Sequence, residues 1–274
     1  MVNHELIRAA LAEDLQGGED LTSVATISKD SVSTADFISR RPGVLAGIDM
    51  AIATLEEVGL IDITIVKHDG EHIEPGEILL TVTGSTRAIL LAERTALNFL
   101  GHLSGIATLT AEWVKAVEGT KCQVRDTRKT TPGYRLLEKY AVRMGGGTNH
   151  RMSLSDAALI KDNHIAAAGG VAKAFSAVRS AFPIASIEIE VDTLDQLREV
   201  LPFKPELILL DNMSPALCAE AVSIVDGATK LEASGGISLE NAKAYAETGV
   251  DYIAIGALTH SAPTLDIGLD LRAE

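Results

Sequence analysis

The chain has 274 residues, of which 46% are hydrophobic and 4% aromatic, and its formal net charge is −14. This length suffices for one large α/β domain or two smaller ones. The acidic balance and the scarcity of aromatic rings argue against nucleic-acid binding, which needs cations for phosphates and rings for stacking. The same acidic balance argues against binding to an anionic membrane surface.

Two further absences narrow the class of protein. The start of the chain is charged and lacks a continuous apolar run, so we expect no secretory signal. The most apolar stretch, residues 88–114, contains charged residues and is too polar to span a bilayer. With only Cys122 and Cys218, a disulfide framework or zinc cluster is not expected, and both cysteines are interpreted as small core residues. We therefore predict a cytoplasmic protein.

Residues 30–85 have the pattern of an α+β domain. Strand-like runs at 33–38, 62–66 and 77–82 alternate with turn sequences at 41–43 and 74–76, and residues 48–58 have helical periodicity. From residue 86 to 118 the pattern is again helical, and Gly101 and Gly105 divide it into two predicted helices.

After residue 120 the sequence alternates between strands and helices. The predicted strands are 122–125, 158–161, 187–191, 207–210, 230–233 and 252–255, and the predicted helices are 135–144, 171–182, 194–201, 215–225 and 239–248. Repeated βα units imply a parallel sheet, and their number favours an α/β barrel. In such barrels the chemistry lies at the carboxyl ends of the strands.

A local basic segment points to a site for a small, multiply charged anion. Residues 121–164 carry a net charge of +5, and the rest of the chain carries −19. The alternative explanation is a chance clustering of cations on helix faces. Arg128 and Arg151 supply planar forks suited to carboxylates, whereas Lys129 and Lys161 are compact charges suited to phosphates. Together they can neutralise a dicarboxylate and a pyrophosphate.

Acidic residues and glycines lie at the ends of the other predicted strands. Glu190 and Asp211 end neighbouring strands, and a carboxylate pair facing a pyrophosphate is typical of Mg²⁺ sites, with structural salt bridges as the alternative. Ser234, Gly235 and Gly236 precede a helix, and Gly256 follows the last strand, which matches the phosphate site of α/β barrels. His260 lies close to them in sequence, where a cap or core role is equally compatible.

A series of short motifs along most of the chain resembles, in the same order, the motifs of the quinolinate phosphoribosyltransferase family. They are ERT at 93–95, HLSGI at 102–106, DTRKTTPG at 126–133, KYAVR at 139–143, GGG at 145–147, NHR at 149–151, LIKDNHI at 159–165, EIEVD at 188–192, LLDN at 209–212, SGG at 234–236 and GALTH at 256–260. The match begins near residue 20, and no position expected to be functional departs from it.

The resemblance implies both the fold and the assembly. It implies an α/β fold with an N-terminal α/β sandwich domain at 1–107, and an incomplete, seven-stranded α/β barrel of the TIM type at 108–274. The C-terminal tail is expected to pack back on the first domain. It further implies a homodimer or a hexamer in which Arg94 enters the neighbouring subunit's site.

The resemblance also implies a reaction. Phosphoribosyl would pass from 5-phosphoribosyl 1-pyrophosphate to quinolinate with release of pyrophosphate and CO2, giving nicotinate mononucleotide for NAD biosynthesis. Lys129, Lys161, Glu190 and Asp211 would be catalytic, with Mg²⁺ on the two acids. The implied substrate-binding residues are Arg94, Thr127, Arg128, Lys129, His150, Arg151, Lys161, Ser234, Gly235, Gly236, Ile255, Gly256, Ala257 and His260.

Two alternatives remain open on the sequence. One is a transferase of the same fold that acts on nicotinate or another pyridine, such as the molybdenum-locus paralogue of the family. The other is a non-catalytic barrel that binds anions. Release of CO2 from quinolinate distinguishes the three.

Overall fold

The computed structural model of the protein describes residues 2–272. Its α-helices are α1 (His4–Leu15), α2 (Leu21–Thr26), α3 (Ile48–Glu57), α4 (Thr86–Ala116), α5 (Arg135–Met144), α6 (Asp162–Ala168), α7 (Val171–Ala181), α8 (Leu194–Val200), α9 (Pro215–Val225), α10 (Leu239–Ala246) and α11 (Ala257–His260), with a short 3₁₀ helix at Leu201–Phe203. Its strands are β1 (Val32–Ser39), β2 (Gly43–Val44), β3 (Asp62–Ile65), β4 (His72–Ile73), β5 (Ile78–Ser85), β6 (Gln123–Arg125), β7 (Ala158–Ile160), β8 (Ile187–Val191), β9 (Leu207–Asp211), β10 (Lys230–Ser234), β11 (Tyr252–Ala254) and β12 (Ile267–Leu271). Within the described range no helix combines the length and the apolar composition that a membrane crossing needs.

The described residues form two compact units. Unit 1 holds residues 2–111, 137–146 and 261–272, and unit 2 holds residues 112–136 and 147–260. Neither unit is a single stretch of sequence, whereas the predicted ranges 1–107 and 108–274 are continuous. The segment 137–146 joins unit 1 because Gly145 allows a close approach to α4: a Cβ atom there would lie 2.3 Å from the Ala107 carbonyl oxygen.

Unit 1 is built on an antiparallel sheet in the order β12-β1-β5-β3. Apolar side chains from β1 and β5, among them Phe37, Leu80 and Val82, are fully buried together with Leu55 of α3 and Leu100 of α4. The tail of the chain supplies the edge strand, since β12 pairs with β1 from Ala35 opposite Leu271 onward. The sheet with its covering helices forms the α/β sandwich.

The prediction of two helices between residues 86 and 118 is wrong, because α4 is one continuous helix of 31 residues. The glycines that suggest a break lie within it and serve close packing instead. A Cβ atom on Gly105 would lie 2.0 Å from the Pro263 carbonyl oxygen, and one on Gly101 would lie 2.9 Å from the Leu265 carbonyl oxygen. The segment before β12 therefore crosses α4 at nearly backbone contact.

Unit 2 is a parallel sheet of six strands in the order β6-β11-β10-β9-β8-β7, with helices between successive strands. Thr148 forms an isolated parallel bridge with Arg125 of β6 and supplies a seventh strand position. The predicted fold class, a sandwich domain with an incomplete α/β barrel, is confirmed. All six strands lie within one or two residues of their predicted places, since buried parallel strands read as apolar runs.

Polar caps keep the strand ends of unit 2 in loops on one edge of the sheet. Thr193 caps α8 by accepting a hydrogen bond from the Gln196 amide, and Ser214 caps α9 ahead of Pro215. Each cap sets where its helix begins, so the residues between strand and cap remain available for binding. Cys122 and Cys218 are buried, as predicted for small core residues.

Candidate active site

A cavity of about 710 Å³ opens in unit 2 at the carboxyl edge of the parallel sheet. Most of the residues predicted for the site line this cavity. They are Thr127, Arg128, Lys129, His150, Arg151, Lys161, Asp211, Ser234, Gly235, Gly236, Ile255, Gly256, Ala257 and His260. They follow β6, β7, β9, β10 and β11 and the segment after Thr148, so the parallel topology brings residues distant in sequence to one place.

A buried carboxylate joins the two loops that carry the arginines. Asp126, directly after β6, accepts hydrogen bonds from the Asn149 side-chain amide and from the His150 backbone N–H at 2.8 Å. Backbone hydrogen bonds between Thr148 and β6 hold the same segment in register. Because of these contacts, the segment that carries His150 and Arg151 runs beside the loop that carries Arg128.

Arg128 and Arg151 form a concentrated positive field. Burial, and then the charge of Arg128, lower the pKa of Arg151. The Nη1 of Arg151 donates to the Ala157 carbonyl at 2.9 Å. The Nε of Arg128 is buried without a hydrogen-bond partner in the described part of the chain. Two neighbouring guanidinium groups favour a ligand with more than one negative charge.

Glu190, Asp211 and a third acid, Asp192, converge beside Lys161. One oxygen from each of the three carboxylates lies within 4.8 Å of the others. Glu190 is buried behind the cavity lining and pairs with the Lys161 Nζ at 2.7 Å. Burial, followed by the charges of Glu190 and Asp192, raises the pKa of Asp211. A cluster of carboxylate oxygens whose mutual repulsion a cation would relieve fits the preference of Mg²⁺ for hard oxygen ligands.

Asp192 is a residue that the sequence interpretation missed as a candidate ligand. The sequence contained a signal for it, because Asp192 lies two positions after Glu190 and directly follows the last residue of β8, and residues two apart along an extended segment point the same way.

The glycine-rich loop after β10 has a backbone shape that side chains disfavour. Gly235 and Gly236 have φ angles of +86° and +64°. A Cβ atom on Gly235 would lie 2.1 Å from the Asn212 Oδ1. Asn212 itself has a φ of +51° and donates through its Nδ2 to Asp211 at 2.6 Å. The loop is therefore packed directly against the carboxylate cluster.

Lys129 lies against the last strand end of the site. Its carbonyl accepts a hydrogen bond from the Thr259 hydroxyl at 2.8 Å. A Cβ atom on Gly256 would lie 3.0 Å from the Lys129 Cδ and 3.3 Å from the His260 Nε2. The glycine at this position leaves room for the lysine stem and the imidazole to share one side of the cavity.

Arg94 differs in position from the other predicted site residues. It lies on α4 in unit 1, its side chain is exposed, and it is not among the residues that line the cavity. The structure also adds residues that the sequence interpretation did not select, namely Leu159, Leu209, Asn212, Glu232, Ile237 and Ala254. The four apolar ones give the cavity a wall suited to a flat, uncharged ring face.

The chemistry that such a cavity permits follows from its three regions. The paired arginines suit a dicarboxylate, the carboxylate cluster suits a divalent cation, and the positive-φ glycine loop suits a phosphate held by backbone N–H groups. Ligands that together satisfy all three regions place carboxylates at one side of the cavity and phosphates at the other.

Known proteins are similar to this chain in sequence and in structure along most of its length. Two family models match it, the N-terminal domain of quinolinate phosphoribosyl transferase at residues 20–104 and its C-terminal domain at residues 106–270. Nicotinate-nucleotide pyrophosphorylase (carboxylating) of Mycobacterium leprae is 53% identical over 273 residues, with 97% of this chain and 96% of that protein covered. Quinolinate phosphoribosyltransferase (decarboxylating) 2b, mitochondrial, of Nicotiana tabacum is 40% identical, with 98% and 82% covered.

A solved structure gives the same result for the fold. The nicotinate-nucleotide pyrophosphorylase of Francisella tularensis superimposes with a TM-score of 0.94 at 41% identity, with 98% of this chain and 95% of that chain covered. The two family models, the relatives and this structure indicate the same family as the sequence motifs. The chain belongs to the quinolinate phosphoribosyltransferase family.

Proposed function

We propose that this enzyme transfers phosphoribosyl from 5-phosphoribosyl 1-pyrophosphate to quinolinate and releases pyrophosphate and CO2. The product is nicotinate mononucleotide, which enters NAD biosynthesis. The observation that carries the proposal is that paired arginines and a glycine-rich phosphate loop line one cavity, which the carboxylate cluster reaches through Asp211. These correspond to the two carboxylates of quinolinate, the pyrophosphate and the 5′-phosphate.

In this proposal quinolinate binds between Arg128 and Arg151. Their guanidinium groups hold the ring 3-carboxylate, while Lys161 and the segment of His150 border the rest of the ring. The apolar side chains of Leu159 and Leu209 cover a ring face and exclude water. Such fixation lines up the ring nitrogen with the anomeric carbon of the ribose, and positioning of this kind accounts for much of the rate of group transfer.

The sugar phosphate binds at the opposite side of the cavity. Ser234, Gly235, Gly236, Ile255, Gly256 and Ala257 contribute the backbone of the 5′-phosphate site, with Thr127 and His260 at its border. Glu190 and Asp211, with Asp192 beside them, would hold Mg²⁺, which when bound offsets the charge of the departing pyrophosphate. Lys129 and Lys161 stabilise the same charge from the protein side.

The reaction balances with these residues. The nitrogen lone pair forms the N–C bond to the ribose as the C–O bond to pyrophosphate breaks, and the pyrophosphate keeps that electron pair. The resulting pyridinium accepts the electron pair released when the bond from ring carbon 2 to its carboxylate breaks and CO2 leaves. That carbon then takes up a proton. The arginines must therefore hold the 3-carboxylate firmly while the 2-carboxylate departs.

We further propose a homodimer, or a hexamer of such dimers, in which Arg94 completes the site of the neighbouring subunit. Its exposed position on α4 of unit 1 supports this role. A cytoplasmic location is in keeping with two buried cysteines that form no disulfide.

One assay tests the proposed function. Purified enzyme with quinolinate, 5-phosphoribosyl 1-pyrophosphate and Mg²⁺ is expected to form nicotinate mononucleotide and CO2 in equal amounts, and to stop when EDTA removes the metal. Arg128→Ala removes a charge-assisted contact worth about 1.5–3 kcal/mol and should raise the KM for quinolinate accordingly. Product from nicotinate but not quinolinate would identify the rival transferase, and no product from either would favour an anion-binding barrel.

A further inference from the structure

A buried layer of charged groups lies at the quinolinate side of the cavity, and two of its members, His150 and Glu232, line that cavity. No step of the reaction described so far uses its glutamates. The layer consists of Arg125 on β6, Glu188 on β8, Glu232 on β10 and the imidazole of His150. Both glutamates are buried, Glu232 completely. Charges held in the interior are costly unless they are paired, so their retention calls for a physical reason.

Arg125 and Glu232 form the fixed half of this layer. The Nη1 of Arg125 donates to the Glu232 Oε2 at 2.7 Å, and the guanidinium stacks on the Tyr252 ring with its carbon 4.4 Å from the ring centre. These contacts leave the second oxygen of Glu232, Oε1, buried and directed toward the His150 Nε2 at 3.5 Å.

The contacts of His150 determine which of its ring nitrogens carries the proton. The backbone N–H of Arg151 can only donate, and it lies 2.8 Å from the His150 Nδ1, so Nδ1 is an acceptor. The proton is then on Nε2, which lies 2.7 Å from the Glu188 Oε2 and donates to it. His150 is thus held as the neutral Nε2–H tautomer, with carboxylate oxygens of Glu188 and Glu232 around that proton.

We propose that Glu232 is a positioning residue for quinolinate binding, which fixes the His150 ring and through it the backbone of Arg151. In this role one oxygen of Glu232 accepts from Arg125. The other oxygen makes no hydrogen bond within the described residues and faces the imidazole N–H, which donates to Glu188. The ring in turn anchors the Arg151 backbone, while the Ala157 carbonyl holds the other end of that side chain. The layer therefore fixes the position of Arg151 at the quinolinate side of the cavity. This inference rests on the proposed function only in that quinolinate is the ligand those arginines hold.

Glu232→Gln tests the proposal with almost no change of shape. An amide has one acceptor oxygen, so either Arg125 or the imidazole N–H would face a donor. We expect the KM for quinolinate to rise about tenfold or more, as loss of an outer partner of a binding group often does. The KM for 5-phosphoribosyl 1-pyrophosphate should stay within about twofold of the wild type, since the substitution disturbs hydrogen bonds only on the quinolinate side.

Glu206→Gln is the matched control. It removes a carboxylate that pairs with Arg179 at 2.6 Å in the same unit, just before β9 and so at the opposite edge of the sheet. Both Michaelis constants should stay unchanged in this variant. Equal rises of the two KM values in Glu232→Gln, or no rise in either, would overturn the positioning role.

A second measurement does not depend on how well the variant folds. Long-range ¹H–¹⁵N spectra of histidine-labelled wild-type protein, with the His150 signals assigned by their loss in His150→Asn, report the tautomer directly. We expect a neutral ring protonated at Nε2, and an imidazolium or an Nδ1–H ring would overturn the proposal. If quinolinate were not a substrate at all, the kinetic arm would show it in the wild type, while this spectrum would still decide the state of His150.

Discussion

At the carboxyl end of β10, a glycine determines the shape of the proposed phosphate site. Gly235 combines a positive φ with a neighbour, the Asn212 amide, that occupies the space of a Cβ atom. Gly227 offers a comparison, since its φ is +75° and nothing lies within 4 Å of a Cβ atom there. The two positions separate backbone strain from steric displacement of the loop.

We predict that Gly235→Ala and Gly227→Ala lose similar stability but differ in activity. Left-handed backbone costs an alanine about 1–2 kcal/mol at either position. Only Gly235→Ala also displaces Asn212, so only it should raise the KM for 5-phosphoribosyl 1-pyrophosphate, about tenfold for a loss of ~1.4 kcal/mol in binding. Steady-state kinetics together with urea unfolding check both effects, and an unchanged KM in Gly235→Ala would contradict the placement of the 5′-phosphate.

At the scale of single residues, the sequence identifies site residues whose type and position after a strand both indicate binding. It misses site residues whose role depends on contacts with distant segments. Arg128, Lys161 and the glycines follow apolar strands, where a parallel sheet places binding groups, so position and residue type point the same way. Glu188 and Glu232 lie inside strands at positions that a local pattern assigns to an apolar core. Their partners are Arg125 on β6 and His150 in the loop after Thr148, and pairing between segments distant in sequence is not visible in a local pattern.

Among the elements, the pairing of β1 with β12 brings like charges together. Asp36 lies directly opposite Asp270 in the ladder, an arrangement that is destabilising unless it is compensated. Arg272 pairs with Asp36 through two contacts of 2.8 Å, and Arg40 pairs with Asp270 at 2.6 Å. Asp36 is buried, whereas the Asp270 side chain is 52% exposed, so solvent screens the second pair more strongly.

We predict that Asp36→Asn lowers the melting temperature by several degrees at neutral pH, and that Asp270→Asn lowers it less. The hydrogen bonds from Arg272 depress the pKa of Asp36 below its ordinary value of 3.8. Its stabilisation is therefore complete above that value and is lost as the pH falls through the pKa of the folded state. Thermal unfolding from pH 7 to pH 3 should show the difference between wild type and Asp36→Asn shrinking; a constant difference would contradict the ion-pair origin.

The elements also show where sequence periodicity misleads. Strands β1, β3 and β5 lie near their predicted bounds because their apolar runs are flanked by clear turn residues. In α4, the glycines suggest a helix end, although Gly101 and Gly105 make room for residues 263–265. A glycine that ends a helix and one that admits another backbone look alike in a single sequence. Only the crossing segment distinguishes them.

For the whole molecule, clustering of charge in sequence predicts an anion site but not its composition. Of the cations in residues 121–164, Arg128, Lys129, Arg151 and Lys161 line the cavity. Arg125 supports it from below, and Lys121 pairs with Asp251 at 3.1 Å. Lys139 and Arg143 belong to unit 1 instead, because residues 137–146, which include most of α5, are part of that unit. The net charge of the segment thus overstates the charge of the site.

The proposed dimer makes a prediction that depends on two subunits. Arg94→Ala and Lys129→Ala should each be nearly inactive as pure proteins, because each lacks one part of every site. Co-expressed in equal amounts, they form mixed dimers in which one barrel keeps Lys129 and receives an intact Arg94 from its neighbour. Half of the dimers would be mixed, each with one complete site, so activity should recover to about a quarter of the wild type.

A second mixture serves as the control for this prediction. Arg128→Ala with Lys129→Ala places both defects in the barrel, so no mixed dimer contains an intact site and no recovery is expected. Sedimentation must first show that all of these variants assemble as the wild type does. Recovery only in the first mixture requires that Arg94 act across the interface, because a residue that served its own subunit would leave every barrel of that mixture incomplete.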